Sequence, residues 1–368
     1  MEKNNKTLNV PHLRFPEFSG EWEIARLGDV CKFFSGGTPS STNKDFYDGD
    51  IPFIRSGEIH SNSTELYITE AGLNSSSAKI VEQGDLLLAL YGATSGDIAI
   101  SKIKGAINQA VLCIRTNHDN FFLKSCWEKH CEKLLQTYLQ GGQGNLSAEI
   151  VKSIKMSFPS YLEQKKISGL LSLIEERIST QKKIIEKYES LIRGLCEKLT
   201  RQGTLNKTIT ECLECNSSTL QESVILDAGS YPVYGAIGIC GYTDTPDVSG
   251  DGVLIIKDGA SVGVTYFADG SYSFIGTLNR LTAKEDINLR YVYYCLKVLN
   301  FTPYKTGLAI PHIYFKDYGK HKIWCPSLEQ QSSIADALTA IDNKILVEKS
   351  LLEQLNFQKR YMLNQLFI

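Results

Sequence analysis

Residues 155–200 read KMSFPSYLEQKKISGLLSLIEERISTQKKIIEKYESLIRGLCEKLT, and residues 322–367 read KIWCPSLEQQSSIADALTAIDNKILVEKSLLEQLNFQKRYMLNQLF. The two stretches align without a gap at an offset of 167 residues, so that the Pro-Ser pair of one falls on the Pro-Ser pair of the other. The same offset places Gly92 on Gly259 and Gly96 on Gly263, well outside these stretches. A repeat of this length predicts a duplicated unit and a molecule with approximate two-fold symmetry.

Both stretches carry apolar residues in a heptad pattern, and no proline interrupts either one after its initial Pro-Ser. Five heptads with charged residues at the other positions predict two long coiled-coil helices, each about 60 Å long. We assign these helices to residues 159–202 and 326–368. The positions expected to face a partner helix are Ile167, Leu171, Ile174, Ile178, Gln181, Ile185 and Tyr188 in the first helix and Ile334, Leu338, Ile341, Ile345, Glu348, Leu352 and Leu355 in the second.

The short connection after the first helix determines the direction of the second. About six residues, which reach only about 20 Å, separate the first helix from a second globular segment that ends where the second helix begins. The helices are therefore predicted to run antiparallel and to separate two globular units. Gln181 and Glu348 occupy equivalent positions, and a buried polar pair there would fix the register. The alternative is that both side chains point to water.

The segments outside the helices predict two α+β domains, at 22–158 and 203–325, after an N-terminal segment at 1–21. Short strand-like stretches separated by glycine, asparagine and serine turns indicate this class. In the first domain they are Ile51–Arg55, Asp85–Leu90 and Ala106–Ile114, followed by a helix at about Phe121–Gln140. In the second they are Tyr231–Tyr234, Gly252–Lys257 and Tyr272–Thr282, followed by a helix at Leu289–Val298. The first domain carries about a dozen extra residues around Asn62–Ser77.

Charge does not by itself favour nucleic-acid binding. The net charge is −2; residues 22–150 carry 11 Lys/Arg and 15 Asp/Glu, and residues 205–325 carry 10 and 12. Only residues 151–204, with 11 and 6, are locally basic. Affinity for a nucleic acid would therefore depend on individually placed side chains or on a more basic partner.

Composition indicates a soluble protein of the reducing cytoplasm. No apolar run approaches the roughly 18 residues that cross a bilayer, and the first residues lack the apolar core of a signal peptide. The ten cysteines are mostly single and lie among apolar neighbours, as in reduced cytosolic proteins. The one close pair, Cys212 and Cys215, lacks the second pair or the histidines of a zinc site. No metal site is predicted.

Several motifs together resemble the specificity (S) subunit of type I restriction–modification systems, and the resemblance covers nearly the whole chain. They are Leu27-Gly28-Asp29-Val30, Phe34-Ser35-Gly36-Gly37-Thr38-Pro39, Pro159-Ser160-Tyr161-Leu162-Glu163-Gln164-Lys165-Lys166-Ile167, Tyr231-Pro232-Val233-Tyr234-Gly235 and Ile310-Pro311-His312-Ile313. The Gly-Gly-Thr-Pro element has no clear counterpart between Asn206 and Ser230.

The resemblance implies a DNA-recognition subunit without catalytic residues. Each of two target recognition domains would read one half of a split DNA site through the major groove. The paired helices would set the spacing and dock two methyltransferase subunits, and motor–nuclease restriction subunits would complete the complex. S-adenosylmethionine, ATP and magnesium would bind to those partners, and no cofactor is expected in this chain.

Polar loop residues are the candidates for reading bases, because Arg and Lys recognise guanine and Asn and Gln recognise adenine. They are Thr38, Ser40, Tyr91, Thr94, Ser95, Asn108, Gln109, Gln143 and Asn145 in the first domain and Lys257, Ser261, Thr277, Asn279, Arg280 and His312 in the second. Each could instead be an ordinary turn or capping residue, and Tyr91 a core residue. Lys165, Lys166, Lys182 and Lys183 could bind phosphate, but a solvated or partner-docking face is the favoured interpretation.

Two other function classes are an enzyme and a protein-binding scaffold. An enzyme is disfavoured because the chain has no Walker phosphate loop, no Asn-Pro-Pro-Tyr methylation motif and no His-Glu-x-x-His motif. A coiled-coil scaffold that binds other proteins through its two globular ends is the alternative function, and the mild acidity of both ends favours it.

Overall fold

The computed structural model describes residues 9–139, 146–307 and 309–368, which form two compact units. The first unit contains the residues up to Thr180 together with Leu352–Ile368, and the second contains Gln181–Leu351. Each unit therefore includes part of both long helices. No helix in these residues is long and apolar enough to cross a membrane.

The first unit begins with short strands and ends in a long helix. Its elements are β1 (Glu23–Arg26), α1 (Leu27–Val30), β2 (Cys31–Ser35), β3 (Tyr47–Ile54), β4 (Tyr67–Ile68), α2 (Glu70–Asn74), β5 (Lys79–Val81), β6 (Leu86–Ala89), β7 (Ile98–Ile100), β8 (Gly105–Ile107), β9 (Val111–Thr116), α3 (Asn120–Leu139), α4 (Ala148–Ser153), β10 (Lys155–Phe158) and α5 (Tyr161–Leu199). The last of these, α5, continues into the second unit.

Two four-stranded sheets and one strand pair organise the first unit. The first sheet has the order β2-β9-β6-β7 and is antiparallel throughout. The second has the order β4-β3-β8-β5, in which β3 and β8 are parallel. Strands β1 and β10 pair separately, with Glu23 opposite Phe158. The segment before β2 and the segment before α5 are thus hydrogen-bonded to each other.

The second unit repeats this order of elements. They are β11 (Lys207–Thr208), α6 (Ile209–Cys212), β12 (Leu213–Ser217), β13 (Tyr231–Gly235), β14 (Gly238–Thr243), β15 (Val248–Ser249), β16 (Gly252–Ile256), β17 (Thr265–Ala268), β18 (Ser271–Phe274), β19 (Leu278–Ala283), α7 (Leu289–Lys297), α8 (Phe315–Tyr318), β20 (Lys322–Ile323) and α9 (Leu328–Leu366). Its sheets have the orders β12-β19-β16-β17 and β14-β13-β18-β15, and β11 pairs with β20. Strands β13 and β18 are parallel, as β3 and β8 are.

The topologies of the two units match strand for strand, although the loops between the strands differ in length. Phe53 lies opposite Ala106 in the parallel pair of the first unit, and Val233 lies opposite Ser273 in that of the second. The offset between equivalent residues is thus 180 at Phe53 and 167 at Ala106. The extra residues of the first unit therefore lie between β3 and β5, which includes the segment predicted from the sequence. Elements β11, α6 and β12 of the second unit are equivalent to β1, α1 and β2 of the first, although the second unit has no Gly-Gly-Thr-Pro motif after β12.

Two predicted strands are each divided in the structure. The stretch Ala106–Ile114 was predicted to be continuous, but β8 and β9 belong to different sheets. The Oδ1 atom of Asn108 accepts a hydrogen bond from the Ala110 N–H at 3.1 Å and closes a turn between them. Tyr272–Thr282 is likewise divided into β18 and β19. Each prediction was wrong in the same way, because a single turn carries the chain from one sheet to the other.

In the antiparallel sheet of each unit, the inner strand β6 or β16 is buried on both faces. In β6, Leu86 and Leu88 face a core that also contains residues of α3 and of the long helices, whereas Leu87 and Ala89 face the second sheet. The same alternation in β16 places Val253 and Ile255 on the helix side. Period-two alternation of apolar residues on both faces is typical of a strand between two layers.

The two long helices have identical lengths. Helices α5 and α9 each contain 39 residues and begin one residue after a Pro-Ser pair. The backbone oxygen of Ser160 accepts a hydrogen bond from Gln164 N–H at 3.0 Å, and that of Ser327 accepts one from Gln331 N–H at 2.9 Å. The heptad positions that are buried in the structure are Ile167, Leu171, Ile174, Ile178, Gln181, Ile185, Leu338, Ile345, Glu348 and Leu355, and those that are half-buried are Tyr188, Ile334, Ile341 and Leu352.

Within the second unit the two helices run antiparallel. Gln181 Nε2 donates hydrogen bonds to Glu348 Oε2 at 2.5 Å and to the Glu348 backbone oxygen at 3.0 Å. Further along α5, Cys196 lies near Asp342, which precedes Glu348 in α9. Lys344 forms an ion pair with Glu348 at 2.6 Å. The polar pair at the equivalent heptad positions is therefore covered and hydrogen-bonded, and does not point to water.

Candidate nucleic-acid interface

A glycine-bounded loop follows the central strand in each unit. In the first unit the Gly96 N–H donates to the Ala89 oxygen at 2.9 Å, and in the second the Gly263 N–H donates to the Ile256 oxygen at 2.9 Å. The φ angles are +77° at Gly92, +87° at Gly96, +103° at Gly259 and +93° at Gly263. These glycines supply a left-handed backbone that other residues rarely adopt. The two loops therefore present their side chains from the same backbone frame.

The loop of the first unit lies beside two other polar segments. The Leu90 N–H donates to the Ala110 oxygen at 2.8 Å, and the Gly36 N–H donates to the Asn108 oxygen at 3.2 Å. Thr38 Oγ1 donates to Gln109 Oε1 at 2.7 Å, and both side chains are exposed. The segment after β2, the loop after β6 and the turn between β8 and β9 thus form one surface, which we call the first loop surface.

The other first-unit candidates occupy different positions on or near this surface. Tyr91 is 39% exposed and is therefore not a core residue. Ser95 is half-buried, and its Oγ donates to the Leu90 oxygen at 3.0 Å, which holds the loop together. Thr94 is half-buried, and Ser40 is exposed and hydrogen-bonded to Thr42. Gln143 and Asn145 lie outside the described residues.

The second loop surface is assembled by the equivalent backbone contacts. The Lys257 N–H donates to the Thr277 oxygen at 3.0 Å, and the Ile313 N–H donates to the Lys257 oxygen at 2.9 Å. His312 Nδ1 lies 2.7 Å from Asp258 Oδ1. Burial raises the pKa of the Cys215 thiol to about 11, and the nearby Lys257 ammonium acts in the opposite direction. Lys257, Thr277 and His312 are thus brought together beside the exposed Ser261.

Two candidates of the second unit already form hydrogen bonds within the protein. Asn279 lies within β19, is 6% exposed, and accepts a hydrogen bond from Ser217 Oγ at 2.9 Å. Arg280 Nε donates to the Tyr272 hydroxyl at 2.8 Å, and its Nη2 lies 3.1–3.2 Å from the backbone oxygens of residues 249–251. Neither side chain is presented by the glycine loop, and both stabilise the sheets in this structure.

A histidine–aspartate pair on the first unit was missed from the sequence. His60 Nε2 lies 2.9 Å from each carboxylate oxygen of Asp97, and Asp97 directly follows Gly96. The residues are 37 positions apart and lie in different loops. No local pattern links them, although an Asp directly after the second loop glycine is a signal visible in the sequence. Together with His312 and Asp258, the pair places a histidine and a carboxylate at the glycine loop of each unit.

The basic residues of α5 differ in their surroundings. Lys165 lies 3.4 Å from Asp119, and Lys166 pairs with Glu17. Lys182 and Lys183 are exposed. The first two are therefore paired with carboxylates of the first unit, although all four lysines are exposed.

The described residues contain no group of three or more His, Cys, Asp or Glu side chains that could hold a metal ion. Cys212 is buried at the end of α6, and burial raises the pKa of its thiol to about 12. Cys215 lies in β12 with its thiol half-buried. Both thiols remain protonated at neutral pH, which is the state of structural cysteines.

Comparisons with known proteins bear on the repeated fold. A family model described as the type I restriction modification DNA specificity domain matches residues 19–190 and, a second time, residues 206–356. The two matches correspond to the two copies of the repeated fold and together cover most of the chain.

Two relatives match over most of their own length. The chain is 24% identical over 416 residues to the type I restriction enzyme MjaVIII specificity subunit of Methanocaldococcus jannaschii, covering 99% of this chain and 95% of the relative. It is 24% identical over 363 residues to the EcoprrI specificity subunit of Escherichia coli, covering 88% of each.

Solved structures establish the fold class. The S subunit of the type I restriction–modification system from M. genitalium has a TM-score of 0.69 at 18% identity, over 98% of this chain and 99% of that one. A chain from a structure of the type I R-M system has a TM-score of 0.56 at 17% identity, over 94% and 97%. The prediction of an α+β tandem repeat with paired long helices is confirmed.

Proposed function

Because the chain belongs to the family of type I restriction–modification DNA specificity domains, we propose that it is a specificity subunit that reads a bipartite DNA site, one half with each domain. It is a DNA-recognition chain rather than the catalytic subunit of such a system. We place the target recognition domains at 22–158 and 203–325 and the spacer helices at 159–202 and 326–368.

The repeated loop surface is the observation that carries this proposal. Both units build it from the same backbone hydrogen bonds, but the side chains presented differ. Tyr91 and Thr94 in the first unit correspond to Asp258 and Ser261 in the second. A common frame with different donors and acceptors suits two readers of different base sequences, since base edges in the major groove are distinguished by such groups. The fifteen loop candidates named from the sequence remain proposals for DNA contact, although Asn279 and Arg280 already bond within the protein.

The paired helices are proposed to dock two methyltransferase subunits. In the second unit, α9 exposes Leu346 at 65%, Val347 at 60% and Leu351 at 41%. A cluster of exposed apolar side chains on a polar helix is typical of a protein-binding face. Restriction subunits would join the same complex in the cytoplasm. S-adenosylmethionine, ATP and magnesium would be bound by these partners and not by this chain.

Exchange of one domain tests independent reading. Residues 22–158 are replaced by the equivalent segment of a relative, and the complex with its methyltransferase is expressed in a host without other modification systems. Single-molecule sequencing of methylated DNA then reads the modified motif. We expect one half of the motif to change and the other half to stay the same. A motif that changes throughout would contradict reading by separate domains.

The same assay, carried out with the unaltered chain, distinguishes a DNA reader from the scaffold alternative. A chain that binds only proteins through its globular ends gives no defined bipartite motif, even with its methyltransferase present. Two divergent faces alone would also suit such a scaffold, but membership in a DNA specificity family favours the reader.

A further inference from the structure

Three lysines surround the second loop surface. Lys257 directly follows β16 and is hydrogen-bonded through its backbone to Thr277 and Ile313. Lys305 precedes Thr306, whose backbone pairs with His312 at 2.8 and 2.9 Å. Lys316 lies in α8, directly after the segment that contains His312. In the described part of the chain, none of the three forms an ion pair with a carboxylate.

An exposed tyrosine near these lysines occupies the N-cap position of α8, where it cannot cap the helix. Tyr314 precedes α8, is 50% exposed and forms no capping hydrogen bond. The Lys316 Nζ atom lies 5.3 Å from the centre of its ring. The equivalent residue of the first unit is Ser147, whose Oγ caps α4 by accepting from the Ile150 N–H at 3.2 Å. The second unit thus lacks a favourable capping residue and exposes an aromatic ring beside an ammonium group.

The first unit carries different residues at these positions. The 167-residue offset places Leu90 at the position of Lys257 and Glu149 at the position of Lys316. In the second unit the nearby acids are Asp258, which is hydrogen-bonded to His312, and Asp317 in α8. The three lysines therefore leave this surface more positive than its counterpart, although both domains are acidic as a whole.

We propose that Lys257, Lys305, Tyr314 and Lys316, which we call the basic strip, bind the sugar–phosphate backbone of DNA beside the half-site that the second domain reads. The inference rests on the proposed function and adds that the two domains contribute unequally to the binding of DNA phosphates. Lysine contacts to phosphates position a protein on DNA, whereas base contacts select the sequence. The 167-residue offset places Leu90, Ser147 and Glu149 at the positions of Lys257, Tyr314 and Lys316, so electrostatic anchoring is concentrated in the second domain.

The salt dependence of binding tests the strip. The chain is assembled with its methyltransferase subunits, and the affinity for a duplex carrying its methylated motif, and for a scrambled duplex, is measured by fluorescence anisotropy at several salt concentrations. The variant is Lys305→Gln with Lys316→Gln. The matched control is Lys284→Gln with Lys322→Gln, two exposed lysines of the same domain. Lys284 follows β19 at the end opposite Thr277.

We expect the strip variant to lower the slope of log affinity against log salt by about 2, since each phosphate contact contributes about 0.9. Affinity at 0.1 M salt should fall by about tenfold or more on both duplexes, with an unchanged ratio between them. The control variant should keep the parent slope. A strip variant with the parent slope, or a control that lowers the slope equally, overturns the proposal.

A second variant separates binding from folding. Tyr314→Ser installs the capping residue found in the first unit. We expect its thermal midpoint to equal or exceed that of the parent while binding weakens several-fold on both duplexes. If the Tyr314→Ser variant binds DNA as tightly as the parent, Tyr314 does not belong to the basic strip. If the parent complex shows no preference between duplexes, the proposed function fails, but the salt slopes of its non-selective binding still decide whether the strip contacts phosphate.

Discussion

At the scale of single residues, a buried glutamine joins each long helix to its domain. Gln331 is 1% exposed; its Nε2 donates to the Pro326 oxygen at 2.9 Å, and its Oε1 accepts from the Asn288 N–H at 2.9 Å. Gln164 makes the equivalent bonds to Pro159 and Asp119 in the first unit. The glutamine in the motif after each Pro-Ser pair therefore satisfies two backbone groups where the chain enters the helix.

Replacement of this glutamine should destabilise the second unit. Gln331→Ala leaves the Asn288 N–H and the Pro326 oxygen without their partner, and each buried unsatisfied group costs about 1–3 kcal/mol. We expect the free energy of unfolding, from urea denaturation of the full chain, to fall by about 3 kcal/mol. The neighbouring Gln330 is exposed, and Gln330→Ala should change it by less than about 0.5 kcal/mol. Equal effects of the two substitutions would contradict this role.

At the scale of elements, four charges connect three helices of the first unit. Lys124 of α3 lies 2.7 Å from Glu128 and 2.7 Å from Glu175 of α5. Lys359 of α9 lies 2.6 Å from Glu175 and 2.9 Å from Glu128. Lys359 interrupts the apolar heptad pattern, and this network explains why a lysine is accommodated there. Removing one member leaves the others partly buried and less well paired.

The network predicts an acid-dependent stability. Burial raises the pKa of Glu175, but the attraction and hydrogen bonds of Lys124 and Lys359 outweigh it, so that the pKa lies below its ordinary value of 4.5. A depressed carboxyl pKa stabilises the fold above the unfolded-state value, and this contribution is lost as pH falls through the folded-state value. Glu175→Gln should therefore lower stability at pH 7, with the difference from the parent shrinking below about pH 4.5.

Urea denaturation at pH 7, 5 and 3.5 measures this difference. Glu176→Gln is the matched control, because Glu176 is the exposed neighbour in the same helix turn. Its difference from the parent should stay small at every pH. A Glu175→Gln difference that is constant from pH 7 to 3.5 would show that the network does not depend on the charge of this carboxylate.

At the scale of the whole molecule, the proposed reader depends on the length of its helices. Both helices have 39 residues, about 58 Å at 1.5 Å per residue. One turn of DNA is about 34 Å, so a helix of this length suits half-sites one to two turns apart. The equal lengths of α5 and α9 are what an antiparallel pair in a duplicated chain requires, because each heptad of one needs a partner in the other.

Lengthening the helices should lengthen the gap in the DNA site. One heptad is inserted in each helix next to Gln181 and Glu348, which keeps the apolar register and adds about 10 Å. We expect the methylated motif to retain both half-sites and to gain about three base pairs between them, since DNA rises about 3.4 Å per pair. The half-sites are the internal control in the same sequencing data. An unchanged gap would mean that the helices do not set the spacing.

The long helices and the duplication were predictable because their signals are regular and local. Heptads over 39 residues place the helix ends within three residues of the predicted bounds. The strands were harder, since most have two to six residues and pair with partners far along the chain. The division of Ala106–Ile114 between two sheets depends on the turn at Asn108, which no hydrophobic pattern marks.

The backbone of the candidate site could be predicted from the sequence better than the contacts of its side chains. The glycines of both loops were identified by the offset, and their positive φ angles give the physical reason. Arg280 is a sequence candidate because arginine reads guanine, but its guanidinium is held by Tyr272 and three backbone oxygens that only folding brings close. No sequence pattern points to His60, because its partner, Asp97, is distant in sequence.

The strand pairs β1–β10 and β11–β20 have a genetic consequence. Glu23 lies opposite Phe158, and Lys207 lies opposite Ile323, so the chain enters and leaves each domain at neighbouring points about 5 Å apart. A recombination event whose two crossovers fall in the codons for such a pair replaces everything between them without altering the geometry of the junction. An incoming cassette of a different length is tolerated for the same reason. If each domain reads its own half-site as proposed, new DNA specificities would arise by gene conversion, without waiting for point mutations to accumulate.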